Sequence, residues 1–302
     1  MSITVPYIDD FHVHLRQGAL MRTVTPLLES GGCGLAYVMP NLKPPIKTTA
    51  EALHYKQQLQ SLSPNTEFLM TLYLNPDLTP EEVHKAAKAG IRELSSRVTT
   101  NSDSGIESYT VYYEIFRAME EAGMVLNLHG EIPSDPSNDI CVLNAEERFL
   151  EHLAKLHADF PGLKIVLEHA TTKAAVDMPV AKFPHDRDAL REVVRQGHPR
   201  FFLGTDSAPH PRHTKENTAT AAAGVFVTPF VLPYLATILD SFGAIDQLEG
   251  FSCQFGRMFY GVGSNTLPRQ TITLIKCEAD SDSRCWFHKK FHLLMTTWCS
   301  AP

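Results

Sequence analysis

The stretch that decides the fold is residues 3–14, ITVPYIDDFHVH, in which an apolar run leads into two histidines one residue apart. We interpret Ile3–Ile8 as a strand, since parallel strands buried on both faces are apolar nearly throughout. Side chains alternate along a strand, so His12 and His14 are expected to point to one side, where both could bind one metal ion. A His-x-His pair alone is a weak signal, because most such pairs are surface or core histidines.

Three later apolar runs also end at a residue type that binds metals. They are Met124–Leu128 before His129, Leu163–Leu167 before His169, and Phe201–Leu203 before Asp206. Taken singly, each of these residues fits a cap at a strand-to-loop junction. Together they favour a shared metal site, because the carboxyl ends of parallel strands converge on one face. Imidazole and carboxylate ligands suit zinc or a similar divalent ion.

Apolar runs alternate with amphipathic segments over most of the chain, which predicts an α/β fold with a parallel sheet. The other strand candidates are Leu35–Met39 and Phe68–Leu74, and the helix candidates are Ser108–Ala122, Asn144–Ala158 and Asp186–Gln196. Asn144 is expected to cap its helix. The pattern alone leaves a closed barrel and an open sheet as alternatives.

Composition narrows the class of protein. The 302 residues suit one large α/β domain, and 43% hydrophobic residues can build a sizeable core. The formal net charge of -7 argues against nucleic acid and anionic membranes as partners. No apolar run approaches the roughly 20 residues of a membrane span. There is no signal-peptide pattern, and the six cysteines form no CxxC pair. We therefore expect a cytoplasmic protein with reduced thiols.

Longer motifs surround the metal-ligand candidates. They are DDFHVHLR at 9–16, VMPNLKPP at 38–45, TTNS at 99–102, LHGE at 128–131, LEHATT at 167–172 and GTDSAPH at 204–210. Over roughly residues 3–261 the chain resembles the class II dihydroorotases, fungal in type, of the amidohydrolase superfamily. The resemblance implies a TIM-type (β/α)8 metal-dependent hydrolase barrel. It also implies reversible hydrolysis and cyclisation between dihydroorotate and N-carbamoyl-L-aspartate in pyrimidine biosynthesis, with zinc and a possible homodimer.

The resemblance also implies a role for each matching residue. His12, His14 and Asp206 would bind the more buried metal, and His129 and His169 the second. Asp206 would also be the general base. The substrate contacts would be Arg16, Asn41 and His210 at the carboxylate, and the backbone of Ala223.

The chain departs from the family's pattern in three places. No lysine stands in residues 89–99, where the family has a carboxylated lysine that bridges two zinc ions, so we expect one or two ions here. The position falls on Arg92 or Glu93, and we interpret Glu93 as a surface or salt-bridged residue rather than a ligand. Only 37 residues separate His169 from Asp206, which predicts that about one βα unit is missing. Residues 262–302 are predicted to form a divergent, loosely ordered tail after a barrel domain at 1–261.

These departures leave alternatives to an active dihydroorotase. One is a catalytically impaired homologue, or a defective splice or gene-model form, that acts at most as a binding subunit. Another is a cyclic amidase with a different small-molecule substrate, which the set of Arg16, Asn41 and His210 argues against.

Overall fold

The computed structural model describes residues 1–96, 109–141, 143–168, 184–216, 221–222, 224–263, 269–277 and 297–300. The predicted missing βα unit falls between His169 and Asp206, and residues 169–183 of that interval lie outside the described part. The chain divides into two compact units. One contains Met1–Ala36, Gln60–Glu67 and Val194–Pro302, and the other contains Tyr37–Leu59 and Phe68–Val193.

Strands and short helices alternate through both units. The strands are β1 Ser2–Pro6, β2 Ile8–Val13, β3 Cys33–Val38, β4 Glu67–Tyr73, β5 Glu93–Ser96, β6 Val125–His129, β7 Lys164–Glu168, β8 Thr271–Cys277 and β9 Thr297–Ser300. The helices are α1 Gly18–Val24, α2 Leu27–Ser30, α3 Thr49–Leu62, α4 Pro80–Lys88, α5 Tyr113–Glu121, α6 Ala145–Asp159, α7 Pro184–Arg195, α8 Arg212–Lys215, α9 Val231–Ser241 and α10 Phe255–Tyr260.

The second unit is built on a parallel sheet in which β4, β5, β6 and β7 are neighbours in chain order. The first four side chains of β6, from Val125 to Leu128, are all buried. Burial on both faces is the reason that three of these four residues are apolar, Asn127 being the exception. Phe116 of α5 and Phe160 after α6 meet edge to face, with ring centroids 5.8 Å apart, and extend the core beside the sheet. The strand interpretations at Phe68–Leu74, Met124–Leu128 and Leu163–Leu167 are confirmed to within a residue or two.

In the first unit, the predicted strand Ile3–Ile8 is confirmed only up to Pro6, where β1 ends, because the chain changes partners at Tyr7. Strand β1 pairs antiparallel with β8, and the Tyr7 N–H donates to the carbonyl of Gln270. The next N–H, of Ile8, donates instead to Gly32 just before β3, and the fully buried β2 begins there. The strand that carries His12 is therefore β2, which starts where the predicted strand ends.

Two other local predictions are corrected. Phe201–Leu203 is not a strand, because its backbone bonds go to different elements: Leu203 accepts from Phe11 N at 3.0 Å and donates to Phe251 O at 3.0 Å. Asn144 precedes α6 but makes no side-chain cap bond. Its amide group instead accepts from Cys141 N and donates to Asp139 O, each at 2.8 Å, and so closes the preceding turn.

The C-terminal region contributes two of the strands. Strand β8 pairs with β1 from Ser2↔Ile275 to Pro6↔Thr271, and β9 pairs antiparallel with the other edge of β8. Leu274 is fully buried in this sheet. The boundary after Gly261 stays a prediction, although residues 271–277 are held by a regular backbone ladder.

Gly31 offers a test of packing in the first unit. A methyl group added at Gly31 would lie 2.3 Å from the backbone carbonyl oxygen of Thr228, which a side-chain rotation cannot move. We expect Gly31→Ala to lower the free energy of unfolding by about 1–3 kcal/mol, the usual range for overpacking. Urea denaturation measures this, with Gly263→Ala as the matched control, since no atom lies within 4 Å of a methyl there. Equal losses in the two variants would contradict the packing argument.

Candidate metal centre

The structure brings His12, His14 and Asp206 together, although Asp206 is 192 residues after His14. His14 Nε2 lies 2.9 Å from Asp206 Oδ1, and His12 Nε2 lies 3.5 Å from the same oxygen. One ligand atom from each of the three residues lies within 4.8 Å of the others. Both histidines are buried, whereas the Asp206 side chain is 44% exposed. The two histidines of this group are therefore shielded from solvent, whereas the carboxylate of Asp206 is partly accessible to it.

Two of the candidate site residues have an unusual backbone conformation. Asp206 and Arg16 adopt the left-handed region, with φ of 47° and 60°, which few residues other than glycine occupy. The Asp206 turn is tied to β2 on both sides, because Asp206 N donates to His12 O at 2.9 Å and His14 N donates to Ser207 O at 3.0 Å. Such conformations persist only where the surroundings enforce them, and they cluster at functional sites.

The protonation state favoured at His14 is the one that can bind a cation. Burial lowers the pKa of His14, and the charges of His12 and Arg16 act in the same direction against the opposing Asp206 carboxylate. A neutral imidazole has the lone pair that a metal requires. Two imidazole nitrogens and a carboxylate oxygen are the donor set of many zinc sites. The three residues thus fit a divalent ion such as zinc.

Arg16 and His210 also lie together. The Arg16 guanidinium donates through Nε to the carbonyl of Pro209 at 2.9 Å, and its Nη2 lies 3.0 Å from His210 Nε2. These contacts fix the orientation of the guanidinium. Arg16 is only two residues after His14 in the chain. Its planar fork of donors matches a carboxylate.

Two other candidates, Asn41 and His129, belong to the second unit. Asn41 follows β3, in a loop where the Pro40 carbonyl accepts from both Leu42 N and Ile46 N. Its buried Oδ1 makes no hydrogen bond within the described part of the chain. His129 is the last residue of β6, and its Nε2 lies 3.6 Å from a carboxylate oxygen of Glu131.

The interpretation of Glu93 as a surface residue is wrong. Glu93 is fully buried at the start of β5, and it accepts a hydrogen bond from Asn127 of β6. Arg92, the other residue considered for the missing lysine, is exposed before the strand. Alternation along β5 places Ser95 on the same face as Glu93, opposite Asn127 in the sheet register. The sequence alone could not reveal this arrangement, because it does not show where β5 begins.

Two predicted site residues, His169 and Ala223, lie outside the described residues, as do Thr99 and Thr100. The neighbours of Ala223 are described: the Lys215 ammonium donates to the carbonyl of Ala222 at 2.8 Å and to that of Gly224. Sequence analysis assigned no role to Lys215, nor to Asp10 and Thr205. The one available signal was that Asp10 and Thr205 lie inside the quoted motifs DDFHVHLR and GTDSAPH.

Known proteins similar to this chain decide its family. A dihydroorotase of Mycosarcoma maydis is 48% identical over 322 residues, covering 86% of this chain and 82% of that protein. The dihydroorotase of Saccharomyces cerevisiae is 41% identical, with 84% and 83% covered. The chain belongs to the dihydroorotase family. A crystal structure of the Saccharomyces cerevisiae dihydroorotase in complex with 5-fluoroorotic acid matches with a TM-score of 0.85 and 39% identity, covering 91% of this chain and 90% of that one.

Membership of the dihydroorotase family confirms the predicted fold class, an α/β fold of the TIM-type metal-dependent hydrolases. The alignment with the Mycosarcoma maydis dihydroorotase is longer than this chain, so some residues of that protein have no counterpart here. No protein-family model matches the chain. Among the residues that the structure describes, no helix has the length and apolar character to cross a bilayer.

Proposed function

We propose that this protein is a zinc-dependent dihydroorotase, which interconverts dihydroorotate and N-carbamoyl-L-aspartate. The observation that carries the proposal is the convergence of His12, His14 and Asp206 in a chain of the dihydroorotase family. Similar chains are named dihydroorotases at 41–48% identity. The substrate is therefore a small molecule, and we place the reaction in the cytoplasm, in pyrimidine synthesis. A homodimer is part of the same proposal.

We propose that His12, His14 and Asp206 hold one zinc ion and that His129 and His169 hold a second. When bound, zinc polarises an amide carbonyl and lowers the pKa of a water molecule towards about 7. The absence of a lysine at 89–99 makes one ion per subunit the alternative to two. The buried Glu93 accepts a hydrogen bond from Asn127, and we do not propose it as a zinc ligand.

The residues of the chain would divide the reaction between them. Asp206 Oδ1 lies near both imidazoles, and the Asp206 carboxylate would accept a proton from the attacking water. In hydrolysis the water oxygen bonds to the ring carbonyl carbon, the ring C–N bond breaks, and Asp206 delivers the proton to the departing nitrogen. Arg16, Asn41 and His210 would bind the substrate carboxylate, and the Ala223 backbone would supply a further contact.

Metal content and turnover test the proposal together. We expect the purified chain to bind one or two zinc ions per subunit and to hydrolyse dihydroorotate. His12→Ala should lose at least one of these ions and lower kcat by about 10²–10⁴-fold, the range that a removed catalytic group typically produces. The matched control is His54→Ala, which replaces an exposed histidine of α3 that lies 3.1 Å from the side-chain nitrogen of Gln58.

The outcomes distinguish the alternatives. Turnover that depends on His12 but not on His54 supports the dihydroorotase. A folded chain that binds no zinc and does not turn over dihydroorotate would contradict it and favour the impaired homologue. Zinc binding with turnover of another cyclic amide, and none of dihydroorotate, would contradict the proposed substrate alone.

A further inference from the structure

Asp10 carries a buried carboxylate that touches the backbone on both sides of the metal centre. It lies inside β2 and is 1% exposed. Its Oδ1 accepts hydrogen bonds from Thr205 N at 2.9 Å and from His12 N at 3.2 Å. Its Oδ2 accepts from the Thr205 hydroxyl at 2.6 Å. One side chain thus holds the residue before Asp206 and the backbone of His12.

The Thr205 hydroxyl extends this contact across Asp206. Besides donating to Asp10, Thr205 Oγ1 accepts from Ser207 N at 3.0 Å. The two neighbours of Asp206 are therefore joined to each other through one hydroxyl, and through it to Asp10. Asp206 occupies the left-handed conformation between them. We call the contacts among Asp10, Thr205 and the Ser207 N–H the Asp10–Thr205 clip.

We propose that the Asp10–Thr205 clip positions the Asp206 carboxylate for metal binding, so that Asp10 and Thr205 are positioning residues of the centre. This inference rests on the proposed function, because it assumes that Asp206 is a ligand. Neither residue contributes a ligand atom to the His12, His14 and Asp206 group. Both act through the backbone that carries those ligands.

The physical reason lies in the backbone of Asp206. A non-glycine residue keeps a left-handed conformation only where surrounding contacts over-determine it. Without the Thr205 hydroxyl, Ser207 N loses its acceptor, and the turn is free to relax towards ordinary backbone angles. Oδ1 would then leave its position 2.9 Å from His14 Nε2. Loss of an outer contact that orients a ligand typically weakens metal affinity by about 10–100-fold.

Threonine variants give the sharpest test, because they change one hydroxyl at constant shape. We expect Thr205→Val to weaken Zn²⁺ binding by the folded full-length chain about 10–100-fold, measured by competition with a chromophoric chelator. Thr205→Ser keeps the hydroxyl and should bind Zn²⁺ as the parent does. Asp10→Asn should weaken binding less than Asp10→Ala, since the amide oxygen can still accept from His12 N and Thr205 N.

A second buried threonine provides the control for folding. Thr66 is also in the first unit, and its hydroxyl contacts Ser63 Oγ at 2.8 Å and the Cys33 carbonyl. Thr66→Val should lower the melting temperature and leave Zn²⁺ affinity unchanged. The visible absorption of the Co²⁺-loaded chain gives a second readout, because a displaced ligand changes the band intensity, whereas a loss of stability alone does not.

The two proposals fail differently. If the parent binds Zn²⁺ and Thr205→Val binds it equally with the same Co²⁺ spectrum, the clip is overturned and the proposed function stands. The clip is also overturned if Thr66→Val loses as much affinity as Thr205→Val, since the effect would then be general destabilisation. If the parent itself binds no Zn²⁺, the proposed metal centre is wrong, and the clip falls with it.

Discussion

Asp206→Asn is expected to lower kcat for dihydroorotate hydrolysis by about 10³-fold, within the range for a lost general base. Asparagine keeps the size of the side chain and tolerates the left-handed backbone, with φ of 47°, that Asp206 adopts. The amide has no negative charge to offer a cation and cannot take a proton from water at neutral pH. The variant should therefore fold as the parent does but lose both proposed roles of Asp206.

Initial rates at saturating dihydroorotate measure this effect, and thermal unfolding shows whether the fold is retained. Asp77→Asn is the matched control, because the Asp77 carboxylate is 85% exposed and lies 3.5 Å from Lys47. We expect the control to keep the parent kcat. Retention of a tenth or more of the parent kcat by Asp206→Asn would rule out Asp206 as the general base.

The second large effect is expected on stability, from Arg257→Met. The Arg257 guanidinium donates through Nε to Asp9 Oδ2 at 2.7 Å and through Nη2 to Asp9 Oδ1 at 2.9 Å. Arg269 adds a third contact to Asp9 at 2.6 Å. Asp9 is completely buried and the Arg257 side chain is 8% exposed, so water cannot replace the lost partner. Removing one member of such a pair should lower the free energy of unfolding by about 3–5 kcal/mol.

Equilibrium urea denaturation of the metal-free chain measures this loss separately from any contribution of zinc. Arg117→Met is the control, since Arg117 faces Glu114 at 3.2 Å with both side chains more than half exposed. Exposed pairs of this kind contribute about 0–1 kcal/mol. If the two variants lose the same free energy, the buried cluster around Asp9 is not a major source of stability.

The elements that sequence analysis placed well are those whose composition or period can be recognised within the element itself. The runs at Met124–Leu128 and Leu163–Leu167 are short, apolar and rich in branched side chains, so their composition alone marks them as strands, and the two pair in a parallel sheet. The helix predicted at Asp186–Gln196 is found as α7, Pro184–Arg195, because its amphipathic period is also local. In each case the signal and the structure involve the same few residues.

The errors have a common physical cause, which is that long-range partners decide the outcome. An apolar run from Ile3 to Ile8 looks like one strand, but Tyr7 bonds to Gln270 and Ile8 to Gly32. Strand β8 lies in the C-terminal region whose composition differs from that of the preceding chain. It forms a strand because its backbone pairs antiparallel with β1. Glutamate is a residue type usually found at the surface, yet Glu93 is buried in β5, where Asn127 of the next strand donates to it.

The sequence by itself determined the family of this protein and the types of its site residues, since motifs such as DDFHVHLR and GTDSAPH are local strings of letters. Only the tertiary structure decided that Asp206 lies 2.9 Å from His14 and that Arg16 meets His210. It also decided that Asp10 holds the turn around Asp206. These contacts join residues more than 190 positions apart, and their geometry depends on how buried strands and turns pack, which no short-range pattern encodes.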